Sequence, residues 1–180
     1  MTENKINWQP EILENNILKI VPLNESDFES LFEIASDPLI WEQHPESHRY
    51  KKEVFQLYFD SAIAGKTAFK IIDKSTNKII GSTRYYDYNS ANSSIAIGYT
   101  FLIRQYWGGR YNKSSKKLLI DFAFKYVDKI YFHIGANNLR SQIATTRIGV
   151  IKVGEFEAEH NGKKTNNFEY LIEKKNWKDN

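Results

Sequence analysis

The stretch with the clearest chemical potential is Arg104-Gln105-Tyr106-Trp107-Gly108-Gly109-Arg110-Tyr111-Asn112-Lys113, where a strand-like pattern gives way to two glycines and then a helical one. The first N–H groups of a helix have no internal partner, and the helix dipole adds partial positive charge there. A Gly-Gly turn leading into such a terminus lets a polyanion such as a phosphate approach the backbone. Arg104, Arg110, Lys113, Lys116 and Lys117 add fixed positive charge around that point. Gly108-Gly109 is neither a G-x-G-x-x-G fingerprint nor a P-loop, since no Gly-Lys-Ser/Thr follows, so the stretch does not point to nicotinamide or ATP binding. Two side chains elsewhere have proton-transfer chemistry. His133 lies in a predicted strand and could act as a base through a water, and Glu169 in the last strand is a comparable acceptor. His44 and His48 stand four residues apart, but Pro45 opposes a helix and no third ligand is near, so no metal is expected.

These residues need a scaffold, and the pattern of apolar positions supplies one. Residues 17–23 read as a strand, with Pro22 confining it to an end or edge. Asn24 or Ser26 can cap a helix carrying Phe28, Leu31, Phe32 and Ile34 at three- and four-residue spacing. A second helix fits 51–64, with Gly65 stopping it. Strands are predicted over 67–72, 78–86 and 94–103. In the third, Ile95, Ile97, Tyr99, Phe101 and Ile103 alternate with mostly smaller residues, Gly98 among them, which suits a core on one face and close approach on the other. A helix runs from the Trp107-Gly108-Gly109 turn to about 127. A strand at 130–134, a helix at 138–148 ended by Gly149, and strands at 151–158 and 167–172 follow. The order β-α-α-β-β-β-α-β-α-β-β is an α/β (α+β) arrangement: a mixed, mostly antiparallel seven-stranded sheet with helices on both faces. Residues 1–16 read as a polar lead-in, 17–174 as one domain and 175–180 as a tail.

Composition bounds the function. The 180 residues carry 25 Lys plus Arg against 22 Asp plus Glu, a net +3 that does not by itself suggest a nucleic-acid protein. There is no cysteine, which removes disulfides, a thiol nucleophile and Cys-ligated zinc. The first residues lack the apolar core of a signal peptide, and no run reaches the ~18 apolar residues of a membrane span. A cytoplasmic protein that binds neither nucleic acid nor membrane, as monomer or homodimer, is expected.

Gln105-Tyr106-Trp107-Gly108-Gly109-Arg110 between strand and helix resembles the acyl-CoA-binding motif Q/R-x-x-G-x-G/A of the GNAT acyltransferase superfamily. Asn138-Leu139-Arg140-Ser141 followed by Arg147-Ile148-Gly149 resembles that superfamily's next motif, an Asn-x-x-Ser/Ala helix ending in Gly. The element order also matches from about residue 17 to 172. Tyr106-Trp107-Gly108 and the serine variant resemble most the ribosomal-protein N-terminal acetyltransferase (RimJ/RimL-like) branch. The chain departs from the pattern at three places. Arg110 replaces the final Gly/Ala. Thr145 stands where members often carry a general-acid tyrosine. Ser94 and Ala96 stand where a glutamate is common.

The resemblance implies acetyl-CoA as donor and an amine as acceptor. The coenzyme would lie along Phe101, Leu102 and Ile103, with its phosphates at Gln105, Gly108, Gly109, Arg110, Tyr111, Asn112 and Lys113. Asn138 would hold the pantetheine arm or a water, and Ser141 would lie near the thiol. His133 and Glu169 remain the base candidates. Trp41, Glu42, His44, Arg84 and Tyr86 (with Tyr85) would line the acceptor mouth, where the superfamily builds its pocket. Asn138 is equally a good helix cap, and Trp41 to His48 reads equally as a polar loop packed by its tryptophan. The alternative is a GNAT-fold module that binds acyl-CoA or a protein without turnover; RNA binding through Tyr85, Tyr86 and Tyr88 lacks a matching motif.

Overall fold

The computed structural model describes residues 6–160 and 162–177. In chain order the elements are β1 (Leu13–Glu14), β2 (Leu18–Pro22), α1 (Phe28–Ala35), α2 (Lys52–Gly65), β3 (Ala68–Asp73), β4 (Ile79–Asn89), β5 (Ser94–Leu102), α3 (Arg110–Ala123), β6 (Lys129–Gly135), α4 (Leu139–Thr146), β7 (Ile151–His160) and β8 (Lys163–Glu173). The strands form one sheet in the order β1-β2-β3-β4-β5-β6-β8-β7. Every neighbouring pair is antiparallel except β5 with β6. The sheet has eight strands rather than seven, because Leu13–Glu14 turns back on β2 and pairs with Lys19–Ile20. Too short to show a period, that strand sits inside the stretch read as a lead-in. Trp8 is also buried there, and Asn15 donates to the Ser114 hydroxyl of α3. At the other end, Trp177 donates to Asp121 of α3, so part of the expected tail is bound to the fold.

Two apolar cores lie on the two faces of the sheet. One joins Leu18, Phe69, Ile80, Ile95 and Ile130 to Leu119, Ile120 and Ala123 of α3. The other joins Ala68 and Phe101 to Leu31 and Ala35 of α1 and to Phe55, Tyr58 and Phe59 of α2. α1 follows a turn in which Asp27 accepts the N–H of Asn24. α2 includes Gly65 and ends on Lys66, which takes the left-handed conformation at φ 51°; the expected glycine stop is therefore displaced by one residue. α3 stops at Ala123, short of 127, and the chain turns before β6.

The functional consequence lies in β5. Its parallel pairing with β6 extends only over Ser94–Ala96 against Lys129–Tyr131, after which the two strands separate. On its other edge, Gly98 opposes Arg84 and Phe101 opposes Ser82, so an extra residue bulges out between them. Tyr99 sits at that bulge with φ 52°. A bulge shifts the alternation of a strand by one. Ile95 and Ile97 face the α3 core, but beyond the bulge Leu102 faces it while Phe101 joins the α1–α2 core. The single face expected for Ile95 through Ile103 is thus broken at Tyr99. Gly98 admits the close neighbour expected there: a Cβ at that position would lie 2.9 Å from the Tyr86 ring.

Candidate active site

Two clefts open where β5 and β6 part. The larger, about 550 Å³, runs from Gly108 and Asn112 along Asn138, Ser141 and Ile143 of α4 and past Phe101 and Leu102. The smaller, about 250 Å³, is lined by Tyr86, Tyr99, His133, Phe156 and Asn167 among others. His44, Thr100, Lys116, Asn138 and Ser141 border both.

Gly108 takes φ 70°, a conformation open to glycine, and a Cβ there or at Gly109 would meet no atom within 4 Å. α3 then begins at Arg110 with Gly109 as its cap and no side-chain hydrogen bond to its first turn. The open backbone expected for an anion is present. The turn is anchored from behind: Tyr106 and Tyr111 both donate to the Asp73 carboxylate, at 3.2 and 3.1 Å, and their rings meet edge to face. Burial alone would raise the Asp73 pKa, but bonds from Thr76, Ser75 and Tyr111 outweigh it and hold the group far below the ordinary carboxylate range. Trp107 donates its indole N–H to Leu102 O, and the Arg140 guanidinium lies 3.8 Å above its ring.

The fixed charge around this turn is thinner than the sequence suggests. Arg104 pairs with Asp37 and Lys117 with Asp121. Lys116 points inward and is buried, donating to Thr145 Oγ1 at 2.5 Å. Arg110 and Lys113 are exposed, as are Gln105 and Gly109. Of the residues expected along the coenzyme, Phe101, Leu102, Gly108, Asn112, Asn138 and Ser141 line the larger cleft. Gln105, Gly109, Arg110, Tyr111 and Lys113 line neither cleft. Ile103 is not a lining residue, and its N–H is bonded to Ile80 O. Successive N–H groups of a strand alternate between its edges, so the Leu102 N–H is directed to the edge that β6 has left. Asn138 caps α4, its Oδ1 accepting the Ser141 N–H at 3.1 Å.

Three groups remote in sequence meet at the smaller cleft, two of them lining it. His133 Nδ1 is 2.9 Å from the Tyr86 hydroxyl and its Nε2 is 3.3 Å from Glu169 Oε1. The cross-strand register of His133 opposite Glu169 makes the second of these contacts. Glu169 orients the imidazole from behind and does not itself line a cleft. Burial pushes the Tyr86 hydroxyl well above its ordinary pKa.

Three acceptor expectations need correction. Arg84 is mid-strand in β4, outside both clefts; its guanidinium lies on the Tyr99 ring at 3.3 Å and donates to Ser61. Tyr85 is fully buried and donates to Leu119 O. Glu42 is exposed, pairs with Arg140 so that the loop after α1 is fastened to α4, and lines neither cleft. Alternation explains the two placements in β4: the strand continues to Asn89, and the successive side chains of Arg84 and Tyr85 go to opposite faces. Trp41 and His44 do border the larger cleft, with Trp41 seated in the α1–α2 core and donating to Ala35 O. Lys116 is the cleft residue whose place the sequence reading missed. Its signal was its spacing, since 116, 119, 120 and 123 form one helical stripe whose other members are apolar.

A profile of the Acetyltransferase (GNAT) domain matches residues 18–151. Among solved structures, a GNAT-family acetyltransferase from Bacillus anthracis is 19% identical, with a TM-score of 0.76 over 91% of this chain and 99% of that one. RimJ of Mycobacterium smegmatis, in complex with CoA-disulfide, is 14% identical at TM-score 0.73, over 94% of this chain and 90% of its own. The ribosomal-protein-S5-alanine acetyltransferase of Vibrio fischeri is 18% identical at TM-score 0.69, over 93% and 99%. At these identities the structural matches establish the fold. The profile match takes in β5, α3 and α4, which line the larger cleft, and the chain therefore belongs to the GNAT family of acyl-CoA-dependent acetyltransferases.

Proposed function

We propose that this enzyme is an N-acetyltransferase that moves the acetyl group of acetyl-CoA directly to a primary amine, and that it acts in the manner of the RimJ/RimL-like branch. The acceptor is a peptide or protein N-terminus or a small-molecule amine. The observation that carries the reading is that a donor-sized cleft and a smaller chamber share His44, Thr100, Lys116, Asn138 and Ser141. A thioester lying in the first therefore meets an amine in the second.

The pyrophosphate rests on the open N–H groups after Gly108, with Arg110, Lys113 and Gln105 on the approach. The pantetheine arm follows the open edge of β5 beside Phe101 and Leu102, against Asn138. Leu139 and Ile143 are 60% and 53% exposed on α4 and give that arm an apolar wall. The Leu102 N–H is available to the carbonyl oxygen as negative charge develops on it.

On the acceptor side, His133 takes the amine proton through the Tyr86 hydroxyl or a water, and Glu169 stabilises the imidazolium. The raised pKa of Tyr86 means that its hydroxyl must give its proton to His133 as it receives one. Ser141, bordering both clefts, is available to the sulfur.

Release of CoA thiol from acetyl-CoA with a panel of amines, including peptides with free N-termini, tests the reading. Amine-dependent release that falls about 10²–10⁴-fold in His133→Ala is expected. CoA binding without release over any amine would favour the non-catalytic module.

A further inference from the structure

Lys116 has an unusual setting for a lysine. Its side chain comes from the buried stripe of α3 and is only 5% exposed. Its ammonium donates to Thr145 Oγ1 of α4 and lies 5.5 Å from the Phe132 ring of β6. It also borders both clefts. Buried charges are ordinarily paired, yet among the described residues no carboxylate pairs with Lys116 or lines either cleft. The other titratable or charged side chains facing the clefts are His44 and Arg49 from the loop before α2, Tyr86 and Tyr99 from β4 and β5, His133 from β6, Arg140 from α4 and Arg147 just after it. None is a carboxylate. The clefts thus leave this buried ammonium without an anionic partner among their lining residues.

We propose that Lys116 is a catalytic residue of the transfer, the group that stands beside the departing CoA sulfur and returns a proton to it. The proposal rests on the acyl-CoA reading above. The acceptor nitrogen forms a bond to the thioester carbonyl carbon, the C–S bond breaks, and its electron pair leaves on sulfur. A proton passes from Lys116 Nζ to that sulfur, giving CoA thiol and a neutral lysine amine. The acceptor nitrogen gives up one proton to His133, and a proton from that side restores the ammonium, so protons balance over the cycle. Burial pushes the Lys116 pKa down to about 7, which makes the ammonium a stronger acid than an ordinary thiol near 8.5 and favours transfer in this direction. Thr145 orients the ammonium by accepting one of its three protons.

The test reads the coenzyme thiol itself. CoA bound to the wild-type chain, to Lys116→Met and to Lys116→Arg is titrated by thiolate absorbance, with desulfo-CoA as blank. Below about pH 7, where Lys116 keeps its ammonium, the wild type should carry about 10-fold more bound thiolate than Lys116→Met, with similar CoA affinity in both. The difference should fade as the lysine becomes neutral at higher pH. Lys116→Arg should keep the thiol acidic yet lose kcat by about 10²–10⁴-fold, because a guanidinium attracts a thiolate but does not give up its proton at neutral pH. Identical thiol titration in the wild type and Lys116→Met would overturn the proposal. So would full kcat in Lys116→Arg, which decides the matter if the methionine variant does not fold. Acetyl found on Nζ after incubation with acetyl-CoA would also overturn it, showing a nucleophile in place of an acid. Failure of the wild type to bind CoA would instead bring down the acyl-CoA reading, and this proposal with it.

Discussion

Replacing Lys116 by methionine should make the protein more stable, and by an amount that depends on pH in a specified way. Burial lowers the lysine pKa from 10.5 to about 7, which corresponds to about 5 kcal/mol against the charged form. Methionine has similar length and no charge, so it removes this cost. It also strands the Thr145 hydroxyl, which offsets about 1–3 kcal/mol of the gain. The net expectation is about 2–4 kcal/mol of added stability at or below pH 7. The sign follows from proton counting. The unfolded chain binds more protons than the folded one between about 7 and 10.5, so wild-type stability rises with pH through that window. The advantage of Lys116→Met should therefore shrink as pH rises and be largely gone near pH 10. Urea unfolding of both proteins at matched pH from 6.5 to 10 measures it, because other titrations cancel in the difference. Parallel stability profiles, or a methionine variant less stable at pH 6.5, would refute the argument that this ammonium is unpaired and desolvated.

Asp73→Asn should raise the KM for acetyl-CoA several-fold with little change in kcat, because Tyr106 and Tyr111 lose the carboxylate that anchors their turn; steady-state kinetics separates the two constants. The same carboxylate, with its pKa held down in the fold, contributes stability that is present above the unfolded value near 4 and is lost as pH falls below it. Acid unfolding of the asparagine variant should lack that component. Gly108→Val places a β-branched residue at φ 70°, so CoA affinity by calorimetric titration should fall at least 10-fold, with about 1–2 kcal/mol of lost stability. Glu169→Gln should lower kcat less than His133→Ala does, since Glu169 acts on the reacting amine only through the imidazole; equal losses would give the carboxylate a direct part.

The parts of this protein that were legible in its sequence are those whose geometry is local. The glycine turn before α3 and the Asn138 cap of α4 are each made by a few consecutive residues, so their types announce the backbone they require. The helices and long strands were likewise readable from their periods, with ends off by a few residues because competing caps and turns decide where an element stops. What only the tertiary structure decided involves residues that meet across the sheet. His133 and Glu169 were separate candidates 36 positions apart, and the register of β6 against β8 is what joins them, with Tyr86 brought in over Gly98. The bulge at Tyr99 also escapes a period-two reading, since a single inserted residue moves Phe101 and Leu102 to opposite cores without changing a residue type. Lys116 shows the limit most clearly. A lysine among lysines on a helix reads as solvated, and its place on the apolar stripe acquires meaning only when α4 and β6 close over it. Helical spacing determines which face a residue shares, but whether that face meets water or protein is set by elements far away in the chain.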